Sequence, residues 1–415
     1  MKTLPDNPDL GHLRRQAKDL LAGLRDADPQ VTLADAQTSL AAQYGFRTWA
    51  DLKAEVDRRQ GQADVADPAL ARQIADRFGL GEVTGPMRSL ARPDEMGRRW
   101  SLETDRGRWS PRTVDDVFPA TDGAENTRFQ EAAARAGVVL PAPVRSRSGA
   151  SVESIEGNRW RVHEWRHSGP PLAAPVSATI TYAVGGTLAL LHGLRLPANG
   201  VCPWSSVPLW TVSWARLADT AAAKGAGWAA ALAAAVPVLS ELETVGQGAA
   251  VPEPVLCHNN LSPGNVRLGA GDCLIVTGWE HAAGLPPAWE LCTALASWAV
   301  DPRGGVNAAG ARALVDGYRA RAGALPPLSV DSFRGAATGL LNYVAGQAGA
   351  ALAAHGEQDE RHADRTMRHL LTHLPSRTTY QRVLDAALTA DETAPAALLA
   401  ADPVGLLTGR SRGST

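Results

Sequence analysis

The sequence predicts an α+β protein: a body of two lobes, the first mixing strands with one helix and the second almost wholly helical, preceded by a small α-helical module. Three observations predict it. Residues 10 to 59 show helical apolar spacing with paired start signals, and strand-like segments with a hairpin signal lie between 99 and 165. From Val176 onward the chain is Ala/Leu-rich helix, interrupted only at Val255 to Gly269 and Asp272 to Gly284.

At 415 residues the length suits two or three structural units at roughly 150 residues each. The expected boundaries are a helical module over 1–60, a mixed lobe with a lead-in helix over 61–168, a helical lobe over 169–400 and a flexible tail over 401–415. In the first module Leu13, Ala17, Leu20, Leu21 and Leu24 fall on one face of a helix that Pro29 closes. A second helix starts at Thr32-Leu-Ala-Asp35 and stops near Tyr44-Gly45, and Thr48-Trp-Ala-Asp51 offers the same capping pattern to a third. Trp49 and Phe46 read as core of this module, and the polar stretch from Gln60 to Pro68 reads as a linker.

A helix is expected around Ala69 to Phe78. Strands then follow at Arg99 to Thr104 and Arg108 to Val114 across Asp105-Arg-Gly107, a hairpin. A helix over Ala124 to Ala136 precedes strands at Val152 to Ile155 and Arg159 to Trp165.

Composition excludes several classes. Hydrophobic residues make up 45% and charged residues 20%, and no run approaches the roughly 20 apolar residues that span a bilayer. The start has no apolar segment after its lysine, so a cytoplasmic protein without a secretory signal is expected. A net charge of −2 gives no footprint for nucleic acid or an anionic membrane. Cys202, Cys257, Cys273 and Cys292 stand apart, which excludes a disulfide framework or a zinc motif by spacing.

The chemistry-bearing segments are four. Cys257-His-Asn-Asn-Leu-Ser-Pro-Gly-Asn265 resembles the catalytic loop of the aminoglycoside phosphotransferase and choline kinase family, usually HGDLHPGN, and Leu274-Ile-Val-Thr-Gly-Trp-Glu280 resembles its metal loop, usually VIDWE. Gly186-Thr-Leu-Ala-Leu-Leu-His192 is similar to the family's LAxLH helix, and Pro287-Ala-Trp-Glu-Leu291 to its DPAWDL. The resemblance runs from about Gly79 to Pro375 and implies a two-lobed protein-kinase-like fold. Separately, QAKDLL, ADAQTSLA and YGFRTWADLKAEV resemble a helical module at the N-terminus of varied actinobacterial proteins, which names no chemistry.

The departures from the family pattern fall on the chemistry. Phosphoryl transfer relies on positioning, on a metal ion bridging the phosphates and on a carboxylate that orients the attacking hydroxyl. The resemblance puts His258 and Asn260 at the catalytic positions. His258 is the histidine that in such loops usually holds the loop, and Asn260 stands where the family has its aspartate; an amide accepts no proton at neutral pH. Asn265 matches one metal ligand, Gly278 stands where the chief metal aspartate belongs, and Glu280 is the candidate substitute. For the nucleotide, the resemblance implies Arg112 in place of the clamping lysine, Glu131 as its helix partner, and Glu164, Trp165 and Arg166 at the end of the last strand. Pro111 beside Arg112 suits a sheet edge better than its centre, and Pro286-Pro287 lacks an aspartate that would brace the catalytic loop.

These departures imply that ATP or GTP is held weakly and Mg2+ poorly. A pseudokinase that binds a small molecule or a protein partner is expected, against the alternative of an active ATP-dependent phosphotransferase acting on an antibiotic or sugar hydroxyl. The acidic run Glu357, Asp359, Glu360, Asp364 reads as a solvated helix face rather than a cation site. Trp204, Trp210, Trp214 and Trp228, where the family has its substrate-side insertion, read as core rather than a ligand box.

Overall fold

A computed structural model of the chain describes residues 10–27, 31–44, 46, 49, 52, 53, 55, 56, 65–90, 99–114, 123–301, 304–354 and 357–389. Thr48 and Asp51 of the expected third cap, Gly45, most of the expected linker from Gln60 and the expected tail lie outside these residues. The chain divides into two compact units, one drawn from 1–120 and 141–171, the other from 121–140 and 172–415. The helix expected within the mixed lobe therefore groups with the helical unit.

In the first unit, helices α1 (Leu10–Ala27) and α2 (Leu33–Gln43) enclose a small core of Leu13, Ala17, Leu40, Ala41, Tyr44, Leu52 and Val56, with Phe46 and Trp49 against it. Thr32 caps α2 in a reciprocal box with Asp35, which satisfies two otherwise orphaned backbone donors. Helix α3 (Pro68–Phe78) starts on the Asp67 side chain and ends on Gly79 at φ 65, the left-handed exit that glycine adopts freely. Its buried Ala71, Ile74, Ala75 and Phe78 pack with Trp100, Leu102, Ile155, Trp160 and Val162 of an antiparallel sheet.

That sheet runs β1 (Arg88–Ser89), β2 (Trp100–Thr104), β3 (Gly107–Thr113), β6 (Asn158–Glu164) and β4 (Pro143–Val144), with β5 (Glu153–Ile155) also on β6. Pro111 lies in β3, between β2 and β6, so it occupies a central strand and not the expected edge. The sheet accommodates it locally: β2 pairs with β3 from Leu102–Trp109 to Thr104–Gly107, lapses where Pro111 has no N–H, and resumes as a single bridge between Arg99 and Arg112.

The helical unit begins with α4 (Gly123–Arg135) and is built around α5 (Ala178–Gly193) and α10 (Ala308–Ala322). These two helices approach backbone to backbone. A Cβ on Gly185 would lie 1.9 Å from the Leu314 carbonyl oxygen, and one on Gly317 would lie 1.9 Å from that of Tyr182. Between them in sequence come α6 (Pro203–Ser206), α7 (Trp214–Ala223), α8 (Ala229–Glu243) and α9 (Pro287–Ala299); α11 (Arg334–Leu352), α12 (Glu357–Thr372) and α13 (Arg377–Leu388) follow. Two short antiparallel pairs interrupt the helices, β7 (Val255–Cys257) with β10 (Ala283–Leu285) and β8 (Val266–Leu268) with β9 (Leu274–Val276). They hold the segments 258–265 and 277–282 against each other. No described helix is long and apolar enough to cross a membrane.

Trp214 and Trp228 are core, and Trp210 packs on Trp214 at 5.1 Å. On α12, Asp364 holds Arg368 by two contacts of 3.0 Å, and Glu360 is exposed; the Glu357 and Asp359 side chains lie outside the described residues. All four cysteines are buried and unbridged.

Candidate functional site

In the helical unit, β7 delivers the loop that starts at His258, and β9 delivers the turn that starts at Thr277. His258 is fully buried and joins the two. Its Nε2–H donates to the Thr277 carbonyl at 3.0 Å, and Nδ1 accepts the Asn260 N–H at 3.3 Å, a tautomer fixed by these partners. Burial lowers its pKa to about 4, against the opposing pull of Glu290, Glu280 and the Thr277 carbonyl, so the ring is neutral near pH 7. It also packs edge-on to Trp279 at 4.6 Å. With both nitrogens engaged and no surface, His258 holds the loop and takes no proton from a substrate.

Thr277 ties the loops a second time, its N–H and hydroxyl both donating to the Asn265 carbonyl at 2.8 and 3.0 Å. Trp279 donates to Val276 and meets Phe129 of α4 edge to face at 5.4 Å, while the Asn126 amide on the same helix donates to the Trp279 carbonyl. From α9, Trp298 donates to the Leu261 carbonyl at 2.7 Å.

The brace that Pro286-Pro287 was expected to lack comes from Glu290, one turn into α9. Its carboxylate accepts the Asn259 N–H at 2.5 Å and the His192 Nε2–H at 2.7 Å. Burial pushes this carboxyl up, but the His192 bond, the His192 and His258 rings and the Asn259 N–H together outweigh it and hold the pKa below the ordinary value. The other His192 nitrogen faces the Tyr318 hydroxyl at 3.0 Å; burial, with Cys257 and Glu290 nearby, raises the tyrosine and keeps it a donor. Sequence reading missed Glu290, Tyr318 and Asn126, although Glu290 stands within the Pro287-Ala-Trp-Glu-Leu291 motif and His192 ends the LAxLH-like helix. Asn259, at φ 61 where the family has glycine, donates its amide to the His281 and Ala283 carbonyls at 3.1 Å each.

His192, Cys257 and Glu290 bring three ligand-type atoms within 4.8 Å of one another. They form a hydrogen-bond network. The Cys257 thiol, pushed well up by burial and by Glu290, donates to the Leu285 carbonyl at 3.2 Å.

The positions expected to work on a phosphate are arranged differently. Asn260 is half-buried and, among the described residues, its side-chain amide makes no hydrogen bond, so it is open to a ligand. Gly278 has φ 80, and a Cβ there would lie 2.4 Å from Asn265 Cγ, 2.6 Å from Oδ1 and 2.7 Å from Nδ2. The Asn265 amide therefore lies over Gly278, in the space a side chain at that position would need. Its Nδ2 is committed to the Asn260 carbonyl at 2.9 Å, leaving one neutral oxygen. To Mg2+, a hard cation that favours anionic and water oxygens in near-ideal octahedra, Asn265 and Gly278 together offer this one neutral amide oxygen. Glu280 follows Trp279 within the same 3-10 turn, Trp279–His281, and its charge acts on His258.

In the sheet unit, Arg112 stands directly between Arg99 and Arg161 on adjacent strands, an all-arginine row where a single lysine was the family expectation. The Arg108 guanidinium stacks over Trp165 at 3.9 Å, and Arg166 pairs with Glu164 at 3.3 Å in an exposed contact. Glu131 lies on α4, in the helical unit.

The sequence profile of the phosphotransferase enzyme family matches residues 92–324, more than half of the chain. The chain belongs to that family. Among solved structures, a spectinomycin phosphotransferase in complex with ADP and spectinomycin has a TM-score of 0.55 at 11% identity, covering 78% of this chain and 98% of that one. An amicoumacin kinase in complex with AMP-PNP, Ca2+ and Ami has a TM-score of 0.52 at 13% identity, covering 79% of this chain and 96% of that one. A microcompartment-associated aminopropanol kinase gives 0.50 at 15%, covering 78% and 99%. At such identities the likeness is one of fold, and this kinase-like fold is the α+β architecture described above. No curated protein sequence matches.

Proposed function

We propose that this member of the phosphotransferase family is a pseudokinase, a scaffold that binds a small molecule or a protein partner and does not transfer phosphoryl groups with Mg2+. One observation carries the reading: the Asn265 amide fills the space at Gly278 where the family's chief metal ligand would project. Asn260 adds to it, since an amide orients a hydroxyl without accepting its proton. Relatives solved with ADP or AMP-PNP support a nucleotide as one ligand of the fold, held here weakly and without help from a divalent cation.

The test is calorimetry and thermal shift with ATP and GTP, each with and without Mg2+. A ligand specific to the native state stabilises it by about 2.7 kcal/mol at a hundredfold excess over Kd. The expected result is a small shift that Mg2+ leaves unchanged. A large shift with Mg·ATP, absent with ATP alone, would sink the reading and point to Glu280 as metal ligand. The second reading, an active ATP-dependent phosphotransferase acting on an antibiotic or sugar hydroxyl, is favoured by the intact bracing of the catalytic loop. Turnover at about 1 to 100 per second would establish it.

A further inference from the structure

Where α5 ends against α10, the helical unit has an open cavity of about 1030 Å3, at the upper end of ligand-pocket sizes. Leu194, Pro254 and Leu325 are among its apolar lining, and Arg195, Arg321 and Glu253 supply formal charge, two positive against one negative. All three charged side chains are exposed, and none makes an ion pair among the described residues. His192 and Tyr318 also line the cavity, although each is about 5% exposed or less.

A cation near a helix C-terminus is favourable in itself, and this accounts for Arg321 in the last turn of α10. Arg195 lies two residues past the end of α5 at φ 46, the left-handed position at which helices commonly stop, and a cation is favoured there in the same way. An L-residue other than glycine pays about 1–2 kcal/mol for the left-handed conformation, and glycine is the residue that would relax it. Arginine in place of that glycine puts a second guanidinium beside Arg321 on the cavity lining.

The wall of the cavity is also the start of a hydrogen-bonded chain. Tyr318 meets His192 at 3.0 Å, His192 meets Glu290 at 2.7 Å, and Glu290 accepts the Asn259 N–H at 2.5 Å in the loop that carries Asn260. We propose that this cavity binds a compound with an apolar body and a carboxylate or phosphate group held by Arg195 and Arg321, and that its occupancy is relayed through Tyr318, His192 and Glu290 to the 258–265 loop. The inference stands apart from the pseudokinase reading, because none of these residues lies at the phosphate-handling positions.

Full-length protein labelled with 15N in histidine and asparagine is titrated with benzoate and, in a second arm, with phenyl phosphate; phenol is the neutral control. The expected result is a saturable shift of the His192 ring signals and the Asn259 amide with at least one anionic probe, and none with phenol. The difference between the arms distinguishes a carboxylate from a phosphate ligand. Arg195→Gln with Arg321→Gln, both exposed and so harmless to folding, should weaken binding at least tenfold. Tyr318→Phe should leave the affinity within about threefold but abolish the Asn259 response. No saturable shift with either anion, equal binding of phenol, or full binding by the double variant would overturn the site. An Asn259 response that survives Tyr318→Phe would overturn the relay.

Discussion

Replacing Gly278 with aspartate restores the family residue, yet the structure predicts that it harms the protein before it helps. The new Cβ would lie 2.4 Å from Asn265 Cγ, so the Asn265 amide must swing away and release the Asn260 carbonyl. Losing that hydrogen bond costs about 0.5–1.5 kcal/mol, and holding a side chain at φ 80 costs about 1–2 kcal/mol more. The lower entropy of the unfolded chain returns about 0.4–1 kcal/mol, leaving a net loss of about 0.5–3 kcal/mol. At about 2–4 °C per kcal/mol for a unit of this size, thermal unfolding should occur several degrees lower. Gly278→Ala, which has the clash without the carboxylate, should lose nearly as much. In a double-mutant cycle with Asn265→Ala the two changes should couple favourably, because the second removes the obstacle. A Gly278→Asp variant as stable as the parent, or additive with Asn265→Ala, would refute the idea that Asn265 fills this position.

Other outcomes follow from the same geometry. Glu290→Gln leaves the Asn259 and His192 donors facing a neutral amide in a buried site, and should cost about 3 kcal/mol in chemical unfolding; an effect below about 1 kcal/mol would show that the brace is dispensable. His258 titrates at about 4 when folded against 6.5 when unfolded, so the unfolded chain binds the extra proton between those values. Its contribution is complete above pH 6.5 and lost as pH falls toward 4, by up to about 3 kcal/mol; a pH profile of unfolding identical to that of His258→Asn would remove this assignment. Asn260→Asp and Gly278→Asp singly should leave ATP hydrolysis at background, since base and metal ligand act as a unit; together with Asn265 freed they should give slow hydrolysis, raised further by Arg112→Lys. Limited proteolysis should cut first near Gln60 to Asp67 and release the helical module; a first cut elsewhere counts against a separable module.

The elements with strong local signals were legible in the sequence. Thr32 and Asp35 announce α2 and its box, the helix expected around Ala69 to Phe78 is α3, and Asp105-Arg-Gly107 marks the β2–β3 hairpin. The two short segments within the helical run did become the strand pairs that present both loops. Taken alone, Pro111 suits a sheet edge, because a ladder position without an N–H is costly. The sheet instead drops its pairing there and keeps the strand central, a compromise between neighbours that one strand cannot reveal. Glu290 escaped for a similar reason. Its significance lies in reaching His192, 98 residues away, and Asn259, 31 residues away, and only the packing of α5, α9 and β7 brings them together.

The shape of the loops and the chemistry of the loops are held by different atoms. His258, Thr277, Trp279, Trp298 and Glu290 fix the 258–265 and 277–282 segments through bonds to backbone groups. None of those bonds needs a metal ion or a phosphate. Of the positions that would need them, Asn260 contributes its backbone N–H and carbonyl to the frame but no side-chain bond, and Gly278 has no side chain to contribute. A fold built this way keeps its form whichever side chains stand at positions 260 and 278, because its supports lie elsewhere. The same separation makes Asn260→Asp a clean probe: the change should leave stability within about 0.5 kcal/mol, so any activity that appears can be assigned to the carboxylate itself. A destabilisation of several kcal/mol would mean that the Asn260 side chain supports the loop after all.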